Sequence, residues 1–344
     1  MTTMRAALWT DTHRLEVTDL PKPGVPPGWA LVRVAYNGIC GTDLAILGGK
    51  HPRAVAPLVM GHEICGWVEQ AGATGPPTGS LVVVEPLISC GECRSCKNGL
   101  THVCRRLALY GIDAPGAMAE YLAVPPAVLH LVPDSVDLHM ATLAEPLAVA
   151  VHAVARSGMQ PGDIVAVFGA GPIGILTAMV ARHEGAGVVV ITEPSPWRRE
   201  VAERLGFTVV APGSTMAATL EPITDGEGAD TTFDSAAHPS VAAELAATTR
   251  VQGRIVVVGV YKEPVAVDLQ AVCFKEQSLI GVRVYTSGDV TRAIELIAAG
   301  ALGLDRFPIK VFDLADVAAA FDAASTGQEC LKTLVTPLSG MADS

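Results

Sequence analysis

The chain has 344 residues, half of them apolar and 17% charged, which is material for about two buried cores and too little charge for disorder. Its net charge of −11, with no run of Lys or Arg, argues against nucleic acid or an anionic membrane as partner. The N-terminus lacks the apolar stretch of a secretory signal, and no segment nears the ~20 apolar residues of a membrane span. Eight cysteines in such a chain predict a reducing cytoplasm, where thiols pack or bind metal.

Up to about residue 150, short apolar runs such as Ala30–Val34 and Leu81–Val84 alternate with turns such as Pro21-Lys-Pro-Gly24 and Gly75-Pro-Pro77. They predict an irregular, mostly β domain. Three segments in it carry metal-binding residue types: Cys40 in Gly38-Ile-Cys-Gly-Thr-Asp43, His62 and Glu63 in Val59-Met-Gly-His-Glu63, and Glu145 just before Pro146. One thiolate, one imidazole and one or two carboxylates make a zinc set with room for an exogenous ligand. Asp43 is placed to fix the His62 ring through its other N–H. Singly, each has a plainer reading: a small buried hydrophobe, a packing histidine, or a charge at a helix start.

Between the second and third of these segments lies Cys90-x2-Cys93-x2-Cys96-x7-Cys104. A reducing compartment disfavours disulfides, and a thioredoxin-like pair would use two of the thiols and leave two over. An iron–sulfur cluster is the nearest metal alternative, but its commonest run closes on Cys-Pro, whereas Arg105 follows Cys104. Four thiolates on one loop fit a closed tetrahedral zinc site. With every position filled by protein, such a metal is structural. His102 is a neutral loop residue in this reading.

After Pro146 the pattern changes to strands alternating with helices, which predicts a parallel sheet covered on both faces. The order is a helix at Leu147–Ala155, a strand at Ile164–Phe168, a helix at Pro172–Glu184, a strand at Val188–Thr192, a helix at Pro196–Leu205, and a short strand near Val209. A strand at Thr231–Asp234, a helix at Val241–Thr249 and a strand at Arg254–Gly259 follow. The tail offers a strand at Ser278–Val284 and helices at Val290–Ala299 and Ala315–Ala324. Cys65, Cys273 and Cys330 read as core thiols, and His152 as a packing residue.

Between the first parallel strand and its helix stands Gly169-Ala-Gly171-Pro172-Ile173-Gly174. A strand before and a helix after are the context in which this pattern binds a dinucleotide. Gly169 makes the turn, Gly171 admits the pyrophosphate, and Gly174 lets the helix pack close, with Pro172 and Ile173 opening the helix whose N–H groups face the phosphates. Glu193, 19 residues beyond Gly174, is placed to bind both ribose hydroxyls and repel a 2′-phosphate, favouring NAD. Arg198 and Arg199 pull the other way, because an arginine there can accept that phosphate.

Taken together, CGTD at 40–43, GHE with Gly66 at 61–66, the cysteine loop at 90–104, GAMAEY at 116–121, AEPLAV at 144–149 and GAGPIG at 169–174 resemble the zinc-dependent medium-chain dehydrogenases over essentially the whole chain. The resemblance implies an α/β protein with a GroES-like, mostly-β catalytic domain at 1–148 and a Rossmann doubly wound parallel sheet at 149–280. Residues 281–344 would then return to the catalytic domain. It implies one catalytic Zn2+ on Cys40 and His62, with Glu63 able to swing on and off, and one structural Zn2+ on Cys90, Cys93, Cys96 and Cys104. Glu145, where plain alcohol dehydrogenases have cysteine, points to the branch of sorbitol, threonine, butanediol and cyclitol dehydrogenases. Thr42 matches the hydroxyl that relays the substrate proton. The implied enzyme oxidises a secondary alcohol to a ketone with NAD, as a homodimer or homotetramer. Rival readings are an NADP-dependent reductase of the same family, a zinc and nucleotide-binding protein without activity, and a thiol redox protein. Two departures stand out: Ala45 replaces a relay histidine, for which His51 or proton exit through the cofactor ribose is the substitute on offer, and Gly79-Ser-Leu-Val82 alters a turn before the cysteine loop.

Overall fold

The computed structural model describes residues 2–338. The chain forms two compact units, one from residues up to Glu145 together with those from Thr286 on, the other from Pro146 to Tyr285.

The first unit is built on a seven-stranded sheet. Strand β1 (Ala30–Ile39) is followed by helix α1 (Gly41–Leu47), then by β2 (Glu63–Gln70), β3 (Leu81–Val84) and β4 (Leu129–Leu131). Antiparallel pairing joins β1 to β2, β2 to β3 and β3 to β4, while Tyr121–Val124 pairs with the start of β1. All four residues of β3 are buried, which explains why it reads as a continuous apolar run and not as an alternation. Val32, Val34, Ile64, Val68, Val82 and Val84 form the core. A separate three-stranded sheet joins Thr3–Asp11 to Arg14–Pro21 and Leu58–Val59.

The second unit begins along α2 (Ala144–Ser157) and alternates strand and helix: β5 (Ile164–Phe168), α3 (Pro172–His183), β6 (Val188–Thr192), α4 (Pro196–Arg204), β7 (Thr208–Val209), β8 (Ala229–Asp234), α5 (Pro239–Thr248), β9 (Thr249–Val257) and β10 (Ser278–Gly281). The six strands are parallel in the order β7-β6-β5-β8-β9-β10. The chain thus winds one way from β5 and then the other, leaving a switch point between β5 and β8. With the mostly β first unit, this is the expected α/β class with a doubly wound parallel sheet.

Beyond Thr286 the chain returns to the first sheet. β11 (Ile309–Asp313), α6 (Val317–Thr326) and β12 (Lys332–Thr336) follow, and β12 lies parallel to β11 and antiparallel to β1.

Three local expectations change. The strand expected to reach Val284 stops at Gly281, and Val284 has a φ of +42°, which an extended strand cannot hold. Helices Met216–Thr224 and Leu269–Phe274 were not expected; Pro222 sits inside the first, and the second buries no residue. Cys273, on that second helix, is exposed and is no core thiol, whereas Cys65 and Cys330 are buried. No helix among the described residues is long and apolar enough to cross a membrane.

Candidate active site

The glycine turn follows the end of β5 directly. Gly169 has a φ of +99°, and a Cβ on Gly174 would lie 1.9 Å from the Gly169 carbonyl oxygen, so glycine is what lets α3 close onto the turn. Pro172 opens α3 at a position whose N–H has no helical partner to lose, with Ile173 next to it in the first turn. A Cβ on Gly171 would meet only Arg198 Nη1, at 3.7 Å, leaving the helix N-terminus open.

Glu193 is nearly buried at 9% exposure and is no surface charge. Its Oε2 accepts the Ala170 N–H at 2.8 Å and its Oε1 the Ser195 N–H at 2.9 Å, tying the end of β6 to the glycine turn. Arg199 donates to the Glu193 and Pro194 carbonyls at 3.0 and 2.7 Å. Arg198 keeps its buried Nε without a hydrogen-bond partner. Gly169, Gly171, Glu193 and Arg198 line one cavity of about 770 Å³, a size that suits a nucleotide.

In the first unit, Cys40 is the N-cap of α1 and His62 and Glu63 open β2. Adjacent antiparallel strands bring these two segments together, and the donor atoms of Cys40, His62 and Glu63 lie within 4.8 Å of one another. Glu145 is buried in the same unit and contributes negative charge at Lys332, but lies outside that 4.8 Å group. Thr42 Oγ1 is 3.8 Å from Cys40 Sγ. Asp43 is fully buried; its Oδ2 accepts the Cys40 N–H at 2.9 Å and its Oδ1 stands 3.5 Å from His62 Nδ1. Burial alone would depress the His62 imidazole, yet the Asp43 carboxylate and the Cys40 thiol outweigh it and hold its pKa well above the ordinary value. Ala45 lies in α1, and His51 accepts the N–H groups of Arg53 and Ala54 on Nδ1 at 3.4 and 3.2 Å.

One residue of this site was not anticipated. Lys332, on β12 and 3% exposed, donates to Glu63 Oε1 at 2.6 Å and to the Ile39 carbonyl at 3.2 Å. Burial would cost the ammonium its proton, but the charges of Glu63, Cys40 and Glu145 hold its pKa above the ordinary lysine value. The other Glu63 oxygen is buried without a hydrogen-bond partner, packed where a Cβ on Gly38 would come within 1.9 Å. Such an oxygen, facing a thiol and an imidazole, suits a metal cation. Replacing Lys332 by Met should destabilise the protein by about 3–5 kcal/mol in urea melts, because it strands a buried carboxylate. The double variant Glu63→Gln/Lys332→Met should regain most of that loss; no recovery would mean that packing and not charge is at stake.

The four loop cysteines converge as well. Sulfur–sulfur distances are 3.9 Å for Cys90–Cys96, 3.5 Å for Cys93–Cys96 and 3.9 Å for Cys93–Cys104. Sulfurs set tetrahedrally about 2.3 Å from a zinc ion are about 3.8 Å apart. The N–H groups of Cys90 and Arg106 both point at Cys104 Sγ, at 3.3 Å. Backbone N–H groups of Glu92 and Cys93 draw the Cys90 thiol down to about 6, while burial and the neighbouring Cys93 and Cys104 thiols push Cys96 up to about 11. That spread is what crowded thiols do without a cation, and a dication converts all four to thiolates. His102 is buried within this loop.

Residues 26–134 match the alcohol dehydrogenase GroES-like domain, and residues 172–299 match the zinc-binding dehydrogenase model. The chain is 42% identical over 307 residues to the 2-dehydro-3-deoxy-L-galactonate 5-dehydrogenase of Pseudoalteromonas atlantica, covering 88% of this chain and 89% of that one. Among solved structures it superposes on a zinc-binding dehydrogenase from Sinorhizobium meliloti bound to NADP, with a TM-score of 0.91, 30% identity, and coverage of 98% and 100%. It also superposes on an Escherichia coli short chain alcohol dehydrogenase complexed with NADH, with a TM-score of 0.90, 28% identity, and coverage of 97% and 99%. By fold, by sequence and by the residues gathered at these sites, the chain belongs to the zinc-dependent medium-chain dehydrogenases, in their polyol dehydrogenase branch.

Proposed function

We propose that this protein is an NAD-dependent zinc dehydrogenase that interconverts a secondary alcohol, of polyol, cyclitol or sugar-acid type, and its ketone. The observation that carries the reading is the contrast between its two donor sets: the cysteine cage supplies all four ligands, while Cys40, His62 and Glu63 supply three and leave a vacancy. The catalytic zinc would be held by Cys40 and His62 with one carboxylate at a time, Glu63 swinging on and off and Glu145 standing near, so that a position stays open, and the second zinc by Cys90, Cys93, Cys96 and Cys104. When bound at the open site, zinc supplies a Lewis acid that lowers the pKa of a substrate hydroxyl.

The chain's own residues do the rest. Asp43 orients His62, and Lys332 restrains Glu63. Thr42 stands beside Cys40 as the hydroxyl that takes the substrate proton and passes it on. Burial and Arg53 lower the His51 pKa and favour its neutral form, and its Nδ1 is taken by the Arg53 and Ala54 N–H groups, so the proton leaves through the cofactor ribose unless His51 gives up those bonds to replace the histidine missing at Ala45. Glu193, fixed by two N–H groups, keeps lone pairs for ribose hydroxyls and opposes a 2′-phosphate, which supports NAD. The sugar-acid class rests on the name of the Pseudoalteromonas relative. The cytoplasmic setting and a homodimer or homotetramer belong to this reading through the family resemblance.

The test is a panel of polyols, cyclitols, butanediol, threonine and sugar acids with NAD and with NADP, following absorbance of the reduced cofactor. Turnover with NAD on one polyhydroxy class is the expected result. A preference for NADP of more than about tenfold in kcat/KM would overturn the role given to Glu193. Zinc-loaded protein that turns over nothing with either cofactor would leave a binding protein on an enzyme fold.

A further inference from the structure

We propose that Asp234 and Tyr261 are a positioning pair that seats the nicotinamide half of the dinucleotide, an inference that rests on the dinucleotide reading above. Asp234 is the last residue of β8, in register with Phe168, the residue before the glycine turn. It stands across the switch point from Glu193, which follows β6. A dinucleotide spread over that crevice puts its adenosine half on the β6 side and its other half above β8 and β9.

Two segments leave the sheet there, Ser235–His238 after β8 and Val258–Tyr261 after β9. They are packed backbone to backbone: a Cβ on Gly259 would fall 2.8 Å from Ala237 Cβ and 2.9 Å from Ala237 N. Ala237 itself has a φ of +50°, a conformation an alanine holds only when its surroundings impose it. The first segment also touches the glycine turn, since a Cβ on Gly169 would lie 3.4 Å from Ala236 Cβ.

Asp234 is the hub of this stack and is fully buried. Its Oδ1 accepts the N–H groups of Ala236 and Ala237 at 3.1 and 2.9 Å, and its backbone oxygen those of Val258 and Gly259 at 2.9 and 2.8 Å. Its Oδ2 accepts the Tyr261 hydroxyl at 2.6 Å. None of these donors is a cation, and among the described residues the phenol is the one side chain that donates to the buried carboxylate. Burial and Asp234 both raise the Tyr261 pKa, so the hydroxyl keeps its proton and remains the donor. A charge-assisted hydrogen bond of this length joins the second segment to the first. Tyr261 immediately precedes the stretch KEPVAVDLQ at 262–270, so the same bond anchors that loop at its start. Ser235, which lines the same cavity as Gly169, Gly171 and Glu193, keeps its Oγ buried with no hydrogen-bond partner, a polar atom left for a ligand.

The test separates the two halves of the ligand. NADH and ADP are titrated into wild type, Tyr261→Phe and Asp234→Asn, with a thermal melt of each. Tyr261→Phe should weaken NADH about tenfold while leaving ADP within about twofold, with the melting temperature lowered by a few degrees because Asp234 Oδ2 loses its donor. Asp234→Asn should act in the same direction, and if it does not fold, Tyr261→Phe decides alone. Unchanged NADH binding, or an equal loss of NADH and ADP, would overturn the proposal. Wild type that binds neither ligand would overturn the dinucleotide reading, and this inference with it.

Discussion

Cys40→Ser should lower kcat/KM by on the order of 10³-fold or more and remove one of two zinc equivalents, with the melting temperature little changed. The thiolate is the softest donor of the open set, and a hydroxyl in its place binds zinc weakly at neutral pH. Without the metal, the substrate hydroxyl loses the Lewis acid that makes its proton removable, an effect worth several kcal/mol in the transition state. Cys40 is only half-buried at the head of α1, so the exchange leaves packing intact. His62→Ala should be as inactive but less stable, because it deprives the buried Asp43 carboxylate of its partner. Wild-type kcat/KM together with full zinc content in Cys40→Ser would show the open site to be misassigned.

Cys93→Ser should do the reverse. Zinc falls from two equivalents to one, and the melting temperature drops by about 4 °C, the shift that ~3 kcal/mol produces in a chain of this size. Turnover measured well below the new melting point should persist, because the loop Cys90–Cys104 lies apart from Cys40, His62 and Glu63 as a separate ligand group. Four thiolates leave no position for substrate, so a metal held there would tie a loop and do no chemistry. A variant with unchanged stability and lost turnover would move catalysis to the cage. Activity lost on mild oxidation without zinc release would instead favour a redox role for Cys90 and Cys96.

Both donor sets were legible because their chemistry is local. Four cysteines within fifteen residues can reach one point without help from the rest of the chain, and CGTD and GHE each carry their own spacing. The parallel sheet was legible for a related reason: a strand buried on both faces is a continuous apolar run, as in Val165–Phe168, and the glycine turn marks where the first one ends. What stayed hidden depends on contacts between distant segments. Lys332 looks like one cation in an apolar strand until β12 is laid beside β1 and Glu63 appears, 269 residues away. Glu193 was legible as a candidate ribose ligand, but its hold on the Ala170 N–H needs the β5–β6 register. Asp234 and Tyr261 carry no motif, and only the crossing of two loop segments joins them.

The placement of β12 also constrains how the molecule is made. The second unit is one unbroken stretch of chain and has all its strands once Gly281 has left the ribosome. The first sheet at that moment lacks β11 and β12, and Glu63 lacks its cation. Assembly is therefore out of order: the later unit closes while the earlier one waits with an open edge on β1 and an unanswered acid. A chain halted after Gly281 would carry a complete parallel sheet beside a first sheet still short of β11 and β12.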